Sequence, residues 1–231
     1  MELIYEYIKN RILDAHIFEE PYPHILIENV FPVDFYKKLL DNIPHIDDFT
    51  PKPKYPGKET LTLENLEPLD DTKKDFWVTI NNWLKSDDFA NFLLNKFSIK
   101  KTGKSNFFLH KDLSNYEVTP HTDVKSKLVT YLFYLPKDDS LREMGTIMLI
   151  PKNGKIQHDR TQHQRWEDFD IVKQVEYLPN SFLAFTPNDN SYHAVKINFP
   201  ENVRKERDTI RGFVFDMSAD DYPAYLFENK N

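Results

Sequence analysis

Apolar positions in the first hundred residues recur mostly every three to four positions, which is the spacing of amphipathic helices. The first such stretch predicts a helix whose apolar face carries Leu3, Ile4, Tyr7, Ile8 and Ile12. Pro32 suits the first turn of a second helix that runs to about Ile43. Asp71 or Thr72 can cap a third helix, and Ser86 can cap a fourth.

Two segments of this half depart from the helical spacing. Residues 21–30, with the sequence PYPHILIENV, predict a short strand. Residues 44–70 carry prolines throughout and include Gly57, which rules out long regular elements and predicts an extended loop. The lysines from Lys52 to Lys58 are interpreted as a solvated part of that loop.

From about Ser105 the pattern changes to short runs rich in Val, Ile, Thr and aromatic residues, separated by turns. The runs cover residues 106–113, 127–135, 146–151, 171–178, 181–187, 193–197 and 207–215. Because no helical pattern lies between them, they predict a mainly β fold with flanking helices. The best-fitting architecture is a double-stranded β-helix, or jelly roll. We expect one domain over 1–231, with helices and loop in 1–104, the jelly roll in 105–217 and a tail in 218–231.

Composition supports a packed protein and disfavours some partners. Hydrophobic residues make up 40% of the chain and aromatic residues 14%, which is enough for a buried core. The net charge is −7, and no basic run with interleaved aromatic residues is present, so we expect no nucleic-acid partner. The chain has no cysteine, which excludes disulfides, thiolate metal sites and cysteine nucleophiles. No apolar run reaches the ~18 residues of a membrane span, and the N-terminal stretch lacks the apolar core of a signal peptide. We therefore expect a cytoplasmic protein with no membrane partner.

A candidate metal site begins in the sequence TPHTD. His121 and Asp123 are separated by one residue, and on an extended segment such residues project to the same side. A third ligand must come from a distant strand, and His193 opens the run HAVKI. Two imidazoles and one carboxylate leave three coordination positions free. That arrangement suits an Fe(II) ion that binds a bidentate cosubstrate and dioxygen together.

An arginine near the end of the chain is a candidate anchor for a carboxylate. Arg207 opens the run RDTIRGFVFD, and a guanidinium can bind a carboxylate through two hydrogen bonds. Thr209 faces the same way and can donate a hydroxyl hydrogen bond. Arg211 shares that face but lies roughly 13 Å further along a strand. Arg204 belongs to a charged loop, and both arginines compete with Arg207 for this role.

These runs resemble a known family. The segments PHTD, KLVTYLFYLPKDD, GTIMLIPK, NSFLAFTPNDNSYHAV and RDTIRGFVFD are similar to the 2-oxoglutarate- and Fe(II)-dependent dioxygenase superfamily. Their order and spacing resemble its prolyl-hydroxylase-like branch. The resemblance covers about residues 105–217. One departure concerns the shape of the pocket: the glycine-led strand begins MGT, whereas the family has a doubled glycine.

The resemblance implies a role for each matching residue. His121, Asp123 and His193 would be the iron ligands, and Arg207 would pair with the distal carboxylate of 2-oxoglutarate. Tyr134 matches a position whose phenol commonly bonds the same carboxylate, and Thr209 is compatible with its position. The implied reaction couples conversion of 2-oxoglutarate and dioxygen into succinate and CO2 to C–H oxidation, usually hydroxylation. The retained Asp123 favours that outcome, because related halogenases replace the carboxylate.

The substrate is not readable, although two segments are expected at the rim of the active site. They are residues 44–70 and 152–170, which are long enough to close over a substrate. The second segment contains residues that could bind an anionic or sugar-like group: His158, Arg160, His163, Arg165 and Trp166. A small-molecule or sugar-like substrate is expected, and a peptide stays open. His110 and Lys111 are expected in the core or at the surface.

Three other functions compete with the oxygenase interpretation. A cupin-like sugar isomerase or epimerase would use histidine and tyrosine as acid and base, and would leave Arg207 unexplained. A non-catalytic carbohydrate-binding jelly roll would make the histidines and Asp123 coincidental. A zinc hydrolase would use the same ligands, but no motif places a carboxylate as its general base.

Overall fold

In the computed structural model, helices cover the outer face of one of two antiparallel sheets. The structure describes residues 2–51, 57–61, 66–154, 160, 162–199 and 206–227. Its α-helices are α1 (Glu2–Asp14), α2 (Val33–Asp41), α3 (Asp71–Leu84) and α4 (Asp87–Lys96). None of these described helices has the length and apolarity needed to cross a membrane.

The predicted helices are all present, and one predicted cap was wrong. Ser86 caps α4 as expected, because its hydroxyl accepts a hydrogen bond from the Phe89 amide at 3.1 Å. The cap of α3 is Asp70, whose carboxylate accepts from the Lys73 amide at 3.0 Å. Asp70 and Asp71 are adjacent, and either could cap a helix. In the structure Asp70 is the cap and Asp71 is the first helical residue.

The two sheets form a jelly-roll core, as the sequence predicted. The larger sheet has seven strands in the order β1 (His24–Glu28), β9 (Ser181–Phe185), β6 (Lys127–Tyr134), β11 (Arg207–Asp216), β4 (Gly103–Asp112), β3 (Lys58–Leu61) and β2 (Thr50–Pro51). The smaller sheet has the order β5 (Glu117–His121), β10 (His193–Lys196), β7 (Ile147–Pro151) and β8 (Phe169–Gln174).

Three strands were not predicted, and one was placed too late in the chain. β5 contains the first part of TPHTD, which the sequence placed between strands. β2 and β3 lie within the segment 44–70 that was predicted as a loop. The run 171–178 was predicted to be one strand, whereas β8 starts at Phe169 and ends at Gln174. Short strands with proline or charged residues carry too weak an alternation to be recognised.

Side chains along β6 and β11 point alternately to the two faces of the larger sheet. One face packs against the helices, and the other faces the space between the sheets. Tyr131 and Phe133 of β6, with Ile210 and Val214 of β11, pack into the same apolar cluster as the helices. Each large side chain buried in this way stabilises the fold by roughly 1.5–3 kcal/mol. The intervening residues of β11 face the other sheet, and this is the face on which Arg207 lies.

Gly212 is required where β11 passes the Tyr131 ring. The two residues are paired in register between β11 and β6. A Cβ atom at Gly212 would lie 2.0 Å from Cζ of Tyr131, far inside any van der Waals contact. The Tyr131 ring is fully buried, and its hydroxyl lies 2.9 Å from the Ser105 hydroxyl. The ring therefore has no open space into which it can move.

We predict that Gly212→Ala lowers the free energy of unfolding by about 1–3 kcal/mol, because the added methyl overpacks the core. Urea denaturation measures the loss. Tyr131→Leu, which removes the clashing atoms, serves as the second arm of a double-mutant cycle. The free energy of unfolding should fall by less in the double variant than the sum of the falls in the two single variants. Full additivity would mean that the close contact with Tyr131 is not the cause.

Candidate metal centre

The three predicted metal ligands lie together at the ends of two paired strands. His121 is the last residue of β5 and His193 is the first of β10, and the two are direct partners in the antiparallel ladder. Asp123 follows two residues after His121. One potential ligand atom from each residue lies within 4.8 Å of the others, so this group could hold a metal ion.

Backbone carbonyls orient both imidazoles for coordination. Nδ1 of His121 lies 2.9 Å from the Thr119 carbonyl, and Nδ1 of His193 lies 3.0 Å from the Ser191 carbonyl. A carbonyl oxygen only accepts, so each Nδ1 carries the proton and donates it. The lone pair is then on Nε2, the atom by which such histidines bind metals. Nε2 of His193 lies 3.8 Å from a carboxylate oxygen of Asp123.

The protonation states also fit metal binding. Burial lowers the pKa of His121 well below its ordinary value, and the His193 ring lowers it further. Burial likewise lowers the pKa of His193. Burial alone would raise the pKa of Asp123, but the neighbouring Lys127 ammonium holds it well below the ordinary value. The site therefore presents two neutral imidazoles and one carboxylate, the states in which these groups coordinate a metal.

Two residues that the sequence analysis missed hold the Asp123 carboxylate. Lys127 forms an ion pair with one oxygen, and the Thr130 hydroxyl donates to the other at 2.6 Å. Such contacts fix the orientation of a metal-binding carboxylate and are common around metal sites. The only sequence feature pointing to Lys127 is its position four residues after Asp123, which has no defined meaning outside a helix.

The metal centre opens onto a cavity of about 380 Å³ between the sheets. All three candidate ligands line it, as do Arg207, Thr209 and Arg211 from β11. Its volume lies in the range of small-molecule sites, roughly 300–1,000 Å³. Apolar side chains complete part of the wall: Val118, Leu132, Phe185, Val195 and Phe213.

The predicted anchor Arg207 lies in a buried cluster of charges on the cavity wall. Its Nη1 donates to Asp112 at 2.5 Å and its Nε donates to the Met144 carbonyl at 2.5 Å. Lys58 lies on the other side of Asp112, with Nζ 3.2 Å from the second carboxylate oxygen. All three charged side chains are almost fully buried, at 5% exposure or less. Two cations around one carboxylate leave the cluster with one positive charge.

The interpretation of the lysines from Lys52 to Lys58 as solvated was wrong at Lys58, whereas Lys52 and Lys54 lie outside the described residues. Lys58 begins β3 and is buried in the cavity wall, where its ammonium also donates to the Tyr116 hydroxyl at 2.7 Å. Burial lowers the pKa of Lys58 to about 7, with Arg211 adding to the effect against the opposing pull of Asp112. The sequence did not predict that Lys58 is buried, because the neighbouring prolines indicate a loop.

Tyr134 and Thr209 lie beside Arg207 but differ in their access to the cavity. Thr209 is buried and lines the cavity. The Tyr134 hydroxyl lies 2.7 Å from the Thr146 hydroxyl, and the Arg207 guanidinium lies over its ring at 5.4 Å. Thr146 is part of the cavity lining, whereas Tyr134 is not. Tyr134 therefore lies behind this part of the wall, and its contact with a cosubstrate stays a prediction.

Of the five residues named in the expected rim segment 152–170, two line the cavity. The His163 ring stacks on His121 with centroids 4.7 Å apart, and Arg160 lies in the lining. Arg165 and Trp166 instead bond Asp168 and Glu117, away from the lining. The remaining candidate, His158, lies outside the described residues, as does Arg204.

His110 and Lys111 are both buried and do not line the cavity. Nδ1 of His110 lies 3.2 Å from the Thr60 hydroxyl. Lys111 donates to Glu206 and to Asp208, at 2.7 Å each. The expectation that the pair lies in the core or at the surface is consistent with these contacts.

Comparisons with known proteins link the chain to one fold. No protein-family model matches the sequence, and no curated protein sequence is significantly similar to it. A Pseudomonas putida prolyl-4-hydroxylase is similar in structure, with 11% identity, a TM-score of 0.50, and coverage of 90% of this chain and 97% of that one.

Two further solved structures are similar over most of their length. HygX from Streptomyces hygroscopicus, solved with nickel, 2-oxoglutarate and hygromycin B, is 11% identical with a TM-score of 0.51, covering 84% of this chain and 83% of its own. The epimerase SnoN, solved with Fe3+, alpha ketoglutarate and nogalamycin RO, is 13% identical with a TM-score of 0.51, covering 98% and 90%. At these identities the likeness shows that the chain shares the fold of these enzymes.

We predict that Asp112→Asn lowers the free energy of unfolding by about 3–5 kcal/mol, because it leaves Lys58 and Arg207 as buried charges without a counter-ion. Asp139→Asn is the matched control, since Asp139 pairs with Arg142 at the exposed surface. Denaturant titration of both variants gives the comparison. If both variants lost the same small amount of free energy of unfolding, the charges of Lys58 and Arg207 would be compensated in some other way.

Proposed function

We propose that the chain is an Fe(II)- and 2-oxoglutarate-dependent oxygenase that hydroxylates a small organic substrate. One observation carries the proposal: a group of two histidines and one aspartate opens onto a cavity whose wall also holds a buried, net positive cluster. The shared fold with HygX and SnoN supports it, because both were solved with a metal ion and 2-oxoglutarate.

In this proposal His121, Asp123 and His193 bind the iron and leave its remaining positions facing the cavity. Bound Fe(II) with 2-oxoglutarate supplies the activation of dioxygen for C–H oxidation, with succinate and CO2 as the other products. The Thr119 and Ser191 carbonyls hold the imidazoles in the required orientation. Lys127 and Thr130 hold the carboxylate.

The cluster around Arg207 is the proposed anchor for the distal carboxylate of 2-oxoglutarate. Asp112 compensates one of the two positive charges of Lys58 and Arg207, and an incoming carboxylate would compensate the other. Tyr134 and Tyr177 lie on the guanidinium at 5.4 and 5.1 Å, which limits its movement. With Lys58 protonated, the anchor therefore carries a single positive charge that matches one carboxylate.

The competing functions fit these residues less well. A zinc hydrolase needs a free carboxylate as general base, but in the described part of the cavity Asp112 is paired with cations and Asp123 belongs to the metal group. A cupin-like isomerase or a carbohydrate-binding protein would have no use for a buried anion anchor. SnoN is an epimerase, so inversion of a stereocentre is a second outcome for this site. Product mass separates the two outcomes, because hydroxylation adds one oxygen atom and epimerisation adds none.

We predict that anaerobic addition of Fe(II) and 2-oxoglutarate produces a weak visible metal-to-ligand charge-transfer band. Asp123→Ala should abolish the band, because the metal loses its carboxylate ligand. Asp139→Ala, at the exposed surface, is the control and should leave the band unchanged. Failure of the band to form in folded wild-type protein would refute the proposed function. An undiminished band in Asp123→Ala would exclude that residue as an essential ligand.

We predict that 2-oxoglutarate binding takes up a proton at pH 8. Lys58 has a pKa of about 7 before binding, and a neighbouring carboxylate favours its charged form, so its pKa rises on binding. The affinity should thus fall above pH 7, by at most about tenfold per pH unit. Calorimetry in two buffers of different ionisation enthalpy measures the uptake.

Lys58→Met should remove this proton uptake, whereas Lys37→Met on the exposed side of α2 should retain it. Uptake that persists in Lys58→Met would place the titrating group elsewhere. Persistent uptake would refute the role of Lys58 but would not bear on the metal site, which the charge-transfer band tests separately.

A further inference from the structure

Arg211 is a cavity arginine that the proposed chemistry does not use. It lies on the same face of β11 as Arg207 and Thr209, and its guanidinium carbon lies 5.5 Å from the centre of the Phe213 ring. Its Nε is buried and has no hydrogen-bond partner among the described residues. Its charge helps to lower the pKa of both Lys58 and His193. Arg211 is therefore within electrostatic reach of both the anchor cluster and the metal centre.

The charges of the cavity do not balance without another anion. The cations Lys58, Lys127, Arg207 and Arg211 line it together with the carboxylates of Asp112 and Asp123. Asp112 contacts Lys58 and Arg207, and Asp123 contacts Lys127. Within the described residues, neither carboxylate forms an ion pair with Arg211. Fe(II) and 2-oxoglutarate carry equal and opposite charges, so binding both would leave this positive excess unchanged.

A second arginine in the lining has unused hydrogen-bond donors. Nε and Nη2 of Arg160 are buried and have no hydrogen-bond partner among the described residues. Among the described residues Arg160 forms an ion pair only with Asp189, 3.6 Å away, whose side chain is 76% exposed. Buried guanidinium donors without acceptors are costly, and an oxyanion of a ligand would satisfy them.

We propose that the substrate of this enzyme is a small organic acid whose carboxylate or phosphate is bound by Arg211, with Arg160 as a second contact. The inference rests on the proposed function, since it assigns the cavity space that the metal and 2-oxoglutarate leave open. A planar guanidinium binds either oxyanion through paired hydrogen bonds. The apolar wall formed by Leu132, Phe185 and Phe213 favours an apolar body on the same molecule.

The test uses three probes that share a ring and differ in charge: benzoate, phenyl phosphate and neutral benzyl alcohol. Protein loaded with Ni(II) and saturated with N-oxalylglycine, an unreactive analogue of 2-oxoglutarate, is titrated with each probe by calorimetry. Both acids should bind saturably, and benzyl alcohol at least tenfold more weakly. The tighter acid identifies the substrate as a carboxylate or as a phosphate.

Arg211→Gln should weaken binding of the acids at least tenfold and change N-oxalylglycine binding much less. Arg211→Lys keeps the charge but not the paired donors, so its affinity for the acids should lie between those of the wild-type protein and Arg211→Gln. Arg11→Gln is the control, because Arg11 is exposed on α1. Circular dichroism verifies that each variant is folded.

The inference would be overturned by no saturable binding of either acid, by equal binding of benzyl alcohol, or by unchanged acid binding in Arg211→Gln. Loss of N-oxalylglycine binding in Arg211→Gln would also overturn it, since Arg211 would then belong to the cosubstrate anchor. If N-oxalylglycine does not bind wild-type protein at all, the proposed function fails. The acid titrations without it still test Arg211, and their loss in Arg211→Gln would support the anion site independently.

Discussion

The strict alternation of side chains along β11 is the constraint on which the other features depend. This strand lies between β6 and β4 near the middle of the larger sheet, so both of its faces are buried. One face must be apolar, because it packs against the helices, and it carries Ile210, Gly212 and Val214. The other face carries Arg207, Thr209 and Arg211 into the space between the sheets. A shift of one residue in register would exchange the faces and place two arginines in the apolar core.

Burying so many charges in one cavity is expensive, and the structure limits the cost by sharing carboxylates. Asp112 serves two cations at once, and Asp123 contacts Lys127 while remaining available to a metal ion. Charges in such surroundings interact more strongly than at the surface, because the effective dielectric constant is lower. The same arrangement makes the cavity responsive to anions, since each arriving negative charge relieves repulsion among several positive ones.

The sequence predicted the features that depend on local pattern. Helix and strand periodicity located α1 to α4 and most strands, and the HxD spacing on an extended segment identified two of the three residues of the metal group. His193 was found because a histidine at the head of a strand can lie beside another strand end. The Lys58–Asp112–Arg207 cluster was not predictable in this way. It depends on which residues of β3, β4 and β11 lie opposite each other. The sequence of a single strand does not determine its register with a distant strand.

The same limit explains why the pairing of Arg207 with Asp112 was not predicted. Its partner Asp112 ends β4, and only the pairing of β4 with β11 reveals that the two residues are opposite each other. Likewise, β5 is a five-residue strand that contains a proline and a glutamate, so its propensity is weak. Its partner β10 supplies the ladder hydrogen bonds that make it a strand.

The stacking of His163 on His121 has a thermodynamic consequence for the segment that carries it. Beside this ring contact, the Thr119 hydroxyl lies 3.2 Å from Nδ1 of His163, and the Gln164 amide donates to the Pro120 carbonyl at 2.7 Å, so several contacts attach the segment to β5. Coordination of a metal fixes the orientation of the His121 ring and so changes the free energy with which His163 docks. By reciprocity, docking changes metal affinity by the same factor. Occupancy of the metal centre and the strength of the His163–His121 contact are thus thermodynamically coupled.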